Sequence, residues 1–69
     1  MQAVLDTLRT ELADRNLSQR RLSALIDRRP QWVIHHLGGA YVLSMDDYIL
    51  ICEGIGIDPV TTLAKALKQ

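Results

Sequence analysis

Four helix-start signals, at Ser18, Pro30, Ser44 and Asp58-Pro59, divide a chain of only 69 residues into short pieces. Ser18, Ser44 and Asp58 each carry a side-chain oxygen that can accept an orphan backbone N–H, the chemistry of a helix N-cap. Pro30 and Pro59 suit the first helical position, where the missing N–H costs nothing and φ is already helical. Between these marks apolar residues recur at three- and four-residue spacing, the period of a helix with one buried face.

The first such face, Val4, Leu5, Leu8 and Leu12, predicts a helix from about Gln2 to Arg15, ended by Asn16, which tolerates a left-handed conformation. Leu22, Leu25 and Ile26 define a second from Gln19 to about Ile26, and a third runs from Pro30 to Leu37 before Gly38-Gly39. The fourth begins at Ser44, which stands three residues before Asp47 as in a capping box, with Leu43 and Tyr48 at the staple positions. Its stripe is Met45, Tyr48, Ile49, Cys52 and Ile55, closed by Gly54 and Gly56; Val60, Leu63, Ala64 and Leu67 share a face of the fifth. The expected fold class is therefore all-α: one compact five-helix domain over residues 1-69. The expected core is Leu5, Leu8, Leu12, Leu17, Leu22, Leu25, Ile26, Val33, Leu37, Leu43, Met45, Ile49, Cys52, Ile55, Ile57, Leu63 and Leu67.

Size and composition exclude several functions. A chain this short hides only about 60% of its unfolded surface, which leaves little room for a deep catalytic cleft beside a supporting core, so an enzyme is not expected. With 48% hydrophobic residues and no net charge it should fold. The longest apolar run, Tyr48 to Cys52, is far below the roughly 20 residues of a membrane span, and no secretion signal opens the chain. Cys52 is the only cysteine, so an internal disulfide is excluded and a reducing, cytoplasmic setting is expected. On an apolar stripe it reads as a small hydrophobe and not as a nucleophile. Adjacent helical residues diverge by about 100°, so His35 and His36 are a poor chelating pair; neither a metal nor a cofactor is expected.

The zero net charge conceals a segregation. Arg15, Arg20, Arg21, Arg28 and Arg29 face a single acid, Asp27, within their stretch, whereas Asp46, Asp47, Glu53 and Asp58 follow with no Lys or Arg before Lys65. Such runs can be solvated faces; the alternative is a local anionic partner.

The second and third helices, joined by a turn of a few residues, have the dimensions of a helix-turn-helix. The segment Leu17-Ser18-Gln19-Arg20-Arg21-Leu22-Ser23, the anchors Val33 and Leu37, and the downstream Leu43-Ser44-Met45, Ile55-Gly56-Ile57-Asp58-Pro59 and Leu63 together resemble the Cro/phage-repressor (xenobiotic-response-element type) helix-turn-helix family. The resemblance spans roughly Leu8 to Leu63. It places Gln19 at the start of the second helix, Leu22 and Ile26 at buried positions, Ser23 at the small residue where the two helices approach, and Val33 at the buried position of the recognition helix. Asp27 stands where the family's turn usually has Gly, Arg28 where an apolar residue is usual, and His36 at a commonly apolar position.

Residue chemistry in the third helix agrees. At 100° per residue Val33, Ile34 and Leu37 gather on one side, and Gln31, Trp32 and His35 on the other. Gln can bond base edges in bidentate fashion, His can donate or accept, and Trp can touch a thymine methyl or a sugar. Trp32 can equally be core, and a partly buried, hydrogen-bonded ring is the expected state of His36. Arg28 and Arg29 precede the positive end of this helix, and Gln19, Arg20 and Arg21 begin the second, where phosphates are favoured. The expectation is a repressor-like transcriptional regulator that binds double-stranded DNA, reading bases with Gln31, Trp32 and His35, as a homodimer on a site with dyad symmetry. The competing expectation is a protein partner: an interaction module or antitoxin that keeps the fold. Tyr41, Val42, Ala64 and Leu67 are the expected self-association surface.

Overall fold

In the computed structural model, which describes Gln2 to Lys68, five helices follow in order: α1 (Gln2–Asp14), α2 (Gln19–Leu25), α3 (Pro30–Leu37), α4 (Met45–Ile55) and α5 (Pro59–Leu67). Among the described residues there is no strand, and no helix is long and apolar enough to cross a membrane. Local chemistry sets the ends. The Ser18 hydroxyl accepts from the Arg21 N–H at 3.0 Å, Ser44 from Asp47 at 3.1 Å and the Asp58 carboxylate from Thr61 at 2.8 Å. The Ser44 cap is not reciprocated as in a capping box; the Asp47 carboxylate turns towards His36 instead.

Left-handed backbone occurs where the chain must reverse. Asn16, at φ 54°, ends α1, and Gly56, at φ 88°, ends α4. Asp27, where the repressor-like turn usually has Gly, adopts φ 56°, so the turn keeps a left-handed residue although it lacks a glycine. Aspartate is among the few non-glycine residues that visit this region with any frequency. Gly54 belongs inside α4 and does not close it. A Cβ there would lie 2.4 Å from Ile26 Cγ2 and 2.8 Å from Leu22 Cδ1, so glycine is what lets α4 approach α2 this closely.

The core joins all five helices: Leu5, Leu8 and Leu12 of α1, Leu22 and its cap Ile26, Val33 and Leu37 of α3, Leu43, then Tyr48, Ile51, Cys52 and Ile55 of α4, with Ala66 of α5. Leu17, Ile57 and Leu63 pack at its margin. Four residues expected inside are turned outward: Leu25, Met45, Ile49 and Leu67. In α4 apolar residues surround the axis, and packing selects Ile51 with Tyr48, Cys52 and Ile55 as the inner side. In α5 the small residues Thr62 and Ala66 face inward and leave Val60 and Leu67 outside, 76% and 74% exposed.

Buried polar groups are satisfied. Thr7 donates to the Ala3 carbonyl at 2.8 Å, Ser23 to that of Arg20 at 2.6 Å, and the Tyr48 hydroxyl to that of Pro59 at 2.6 Å, which ties α4 to the start of α5. Burial, more than any neighbour, pushes the Cys52 thiol up, as expected of a packed cysteine without a nucleophilic role.

Candidate nucleic-acid interface

α2 and α3 pack directly on each other as the two arms of a helix-turn-helix. Leu22, Ile26, Val33 and Leu37 contribute to the core from these two helices and the cap of α2, and Ser23 of α2 is buried with them. The Arg28 N–H bonds the Ser23 carbonyl at 2.9 Å, so the turn is anchored to α2 by backbone. This scaffold fixes the direction in which α3 presents its outer face.

That face differs from the sequence expectation in composition. Gln31 and His35 are exposed as expected, and Ile34, grouped by helical angle with Val33 and Leu37, joins them at 51% exposure. Positions 31, 34 and 35 are spaced i, i+3, i+4, which places them on one stripe. That spacing, read from Gln31, was the available signal for Ile34. The outer stripe of α3 is thus Gln31, Ile34 and His35: two hydrogen-bonding side chains and one apolar one.

Trp32 and His36 form a half-buried shoulder between this stripe and the core. Their rings stack at 4.0 Å between centroids with planes 24° apart. The contact is locked by the backbone: His36 Nδ1 lies 2.7 Å from the Trp32 carbonyl, and since a carbonyl only accepts, the ring donates. The far nitrogen, Nε2, lies 3.8 Å from Asp47 Oδ2 of α4, beyond hydrogen-bond reach. Tyr41 completes an aromatic cluster, 5.4 Å from His36 and 5.6 Å from His35.

Arg20, Arg21, Arg28 and Arg29 are all exposed around this unit, and none makes an ion pair among the described residues. Gln19, half-buried, opens α2. Arg15, grouped with these arginines by sequence, is engaged elsewhere: it binds Glu11 at 2.5 Å, and Lys65 binds the other oxygen of the same carboxylate at 2.9 Å. Arg9 pairs with Asp6 and bonds the Leu37 carbonyl. Arg29 is the N-cap of α3 and offers no side-chain cap, so the first amides of α3 have no side-chain partner, unlike those of α2, α4 and α5. Gln19, Arg20 and Arg21 thus lie at the start of α2, Arg28 and Arg29 directly before α3, and Gln31 and His35 on the outer stripe of α3, with Trp32 set back from it. Comparison of the sequence and fold with family models, with curated proteins and with solved structures finds no match.

Proposed function

We propose that this chain is a sequence-specific DNA-binding domain of a small, repressor-like transcriptional regulator, similar to the Cro/phage-repressor helix-turn-helix family. The observation that carries this reading is the set of four arginines, Arg20, Arg21, Arg28 and Arg29, exposed and without acidic partners around a helix whose outer stripe is Gln31, Ile34 and His35. α3 enters the major groove; Gln31 and His35 meet base edges and Ile34 meets a thymine methyl. The arginines and Gln19 hold backbone phosphates, which set position and register but carry no sequence information. Regulation is steric, by occupation of an operator. One eight-residue helix covers few base pairs, so two copies act on half-sites about 34 Å apart. The decisive experiment is selection from genomic fragments at physiological salt, followed by footprinting. A protected site with dyad symmetry supports the reading, and failure to retain any duplex at low or physiological salt ends it. Gln31→Ala should cost about 1–3 kcal/mol on the selected site and leave random DNA nearly unaffected.

A second reading, a module or antitoxin that docks another protein, is favoured by one observation: Tyr41, Val42, Met45, Val60 and Leu67 leave much apolar surface outside the helix-turn-helix. A second copy of this chain is the simplest occupant, because uncharged patches meet across a two-fold axis without like-charge repulsion. A stable 1:1 complex with an unrelated protein, formed by a chain that protects no DNA, would put this reading first.

A further inference from the structure

Among the four unpaired arginines, Arg28 alone is held by other side-chain contacts. Its guanidinium carbon lies 5.6 Å from the centroid of the Trp32 ring, and Nη1 reaches the Asp27 carbonyl at 3.4 Å. Neither Arg20, Arg21 nor Arg29 makes a side-chain hydrogen bond or a stacking contact among the described residues. The ring that carries Arg28 is itself fixed. Trp32 packs on the core and stacks on His36, and His36 is held by the Trp32 carbonyl. A line of contacts therefore runs from His36 through Trp32 to a cation just before α3.

We propose that Trp32 is a positioning residue: it does not read a base but pre-orders the Arg28 guanidinium beside the amino end of α3, as an anion contact set in place before DNA arrives. This rests on the DNA-binding reading for the identity of the anion, a backbone phosphate, and on the 5.6 Å cation–π approach of Arg28 to the Trp32 ring for the ordering. A long, freely rotating arginine loses rotamer freedom when it grips a phosphate, and a side chain already lying on a fixed aromatic face has surrendered part of it. Arginine suits this role because its planar guanidinium stacks on an aromatic face while its edge N–H groups remain available to oxygen; lysine has no such plane. Arg28 thus turns a position that is commonly apolar in repressor-like turns into a contact, and Trp32 is what makes it a defined one.

Two measurements test this separately from DNA binding itself. In the free protein, NMR should show ring-current displacement of the Arg28 δ-methylene protons and restricted motion at Arg28 Nε. Both should vanish in Trp32→Leu and persist in Trp32→Phe, which keeps an aromatic face. Motion at Arg28 Nε that is equal in the wild-type and Trp32→Leu proteins overturns the proposal. On the selected DNA site, Trp32→Leu should weaken binding about three- to ten-fold, the scale of one stacked cation, with Trp32→Phe restoring most of it. Arg28→Ala should cost at least as much, and the Trp32→Leu/Arg28→Ala double variant should be no weaker than Arg28→Ala alone. Losses that add in the double variant mean that Trp32 touches DNA on its own account and overturn the positioning role. Thermal unfolding of each variant shows which are folded. If Trp32→Leu unfolds, Arg28→Lys, in which the charge is kept and the planar group is lost, should weaken binding by about three- to ten-fold, and binding equal to that of the wild-type protein overturns the proposal. A wild-type protein that shows the ordering but binds no duplex removes the DNA reading and leaves the ordering intact.

Discussion

The cations of α1 and α5 and the arginines of α2 and α3 are the same chemistry in two arrangements. On the first side every described partner is local: Glu11 is gripped by Arg15 and Lys65, and Arg9 is shared between Asp6 and the Leu37 carbonyl. On the second side Arg20, Arg21, Arg28 and Arg29 meet no acid. The difference shows why a net charge of zero says little about partners: compensation is spatial, and this fold neutralises the charges that hold helices together while leaving Arg20, Arg21, Arg28 and Arg29 exposed without acidic partners.

The comparison collapses most completely if the shared core fails. Leu22, fully buried, lies under the helix-turn-helix and against Gly54 of α4. Leu22→Ala should destabilise by about 2–5 kcal/mol through lost transfer energy and the cavity left behind. Denaturant unfolding measures this, and a change near zero would mean that the inner face of α2 is assigned incorrectly.

Next in size is the internal clamp. The Lys65 ammonium, then the Arg15 guanidinium, hold the Glu11 carboxyl below its ordinary value of 4.5. A carboxylate depressed on folding stabilises above its unfolded pKa, and that contribution is lost as pH falls through the folded value. Glu11→Gln should therefore cost about 0.5–1 kcal/mol near neutrality, because both partners, Arg15 and Lys65, are well exposed. The gap between the two proteins should close below about pH 4.5, which thermal unfolding across pH 3–7 will show. A constant gap would assign the loss to packing and not to charge.

The two sets of cations should then separate by what they disturb. Alanine at Arg20, Arg21 or Arg29 should leave folding within about 0.5 kcal/mol and lower the magnitude of the salt slope of DNA binding by roughly one. Alanine at Arg9 or Arg15 should lower stability and leave the slope unchanged. Titrations on specific and random DNA at several salt concentrations check both; equal slopes throughout would erase the distinction between structural and functional charge.

Much of the scaffold was legible because capping is local chemistry. Ser18, Ser44 and Asp58 each cap the helix they were expected to, and Pro30 to Leu37 has the expected bounds. The rotation of each helix was harder to read. α4 carries apolar residues on more than one side, so periodicity alone could not choose Ile51 over Ile49, and the close approach of α1 to α5 decided that Thr62 and Ala66 face inward. The Glu11 clamp was invisible because Lys65 lies 54 positions away, and its consequence, that Arg15 leaves the basic cluster, was invisible with it. At the candidate interface Gln31, His35 and the four arginines lie exposed as read, Ile34 lies outside although helical angle groups it with Val33 and Leu37, and Trp32, which the sequence left open between core and contact, packs half-buried on the core.

The smallest expected effect on folding tests the apolar counterpart of the basic face. Val60, Ala64 and Leu67 are spaced i, i+4, i+7 and form one outer stripe of α5, exposed in a single chain. Replacing Val60 and Leu67 with serine should change unfolding free energy by less than about 0.5 kcal/mol per site, because groups already in water have little burial to lose. If a second copy covers the stripe, the same variants should sediment as monomers where the parent self-associates. They should bind an isolated half-site as the parent does and a full dyad site more weakly, since the second recognition helix is no longer delivered by the first. A parent chain that stays monomeric both free and on DNA, or variants that pair as well as it does, would show that this stripe meets something other than a copy of itself.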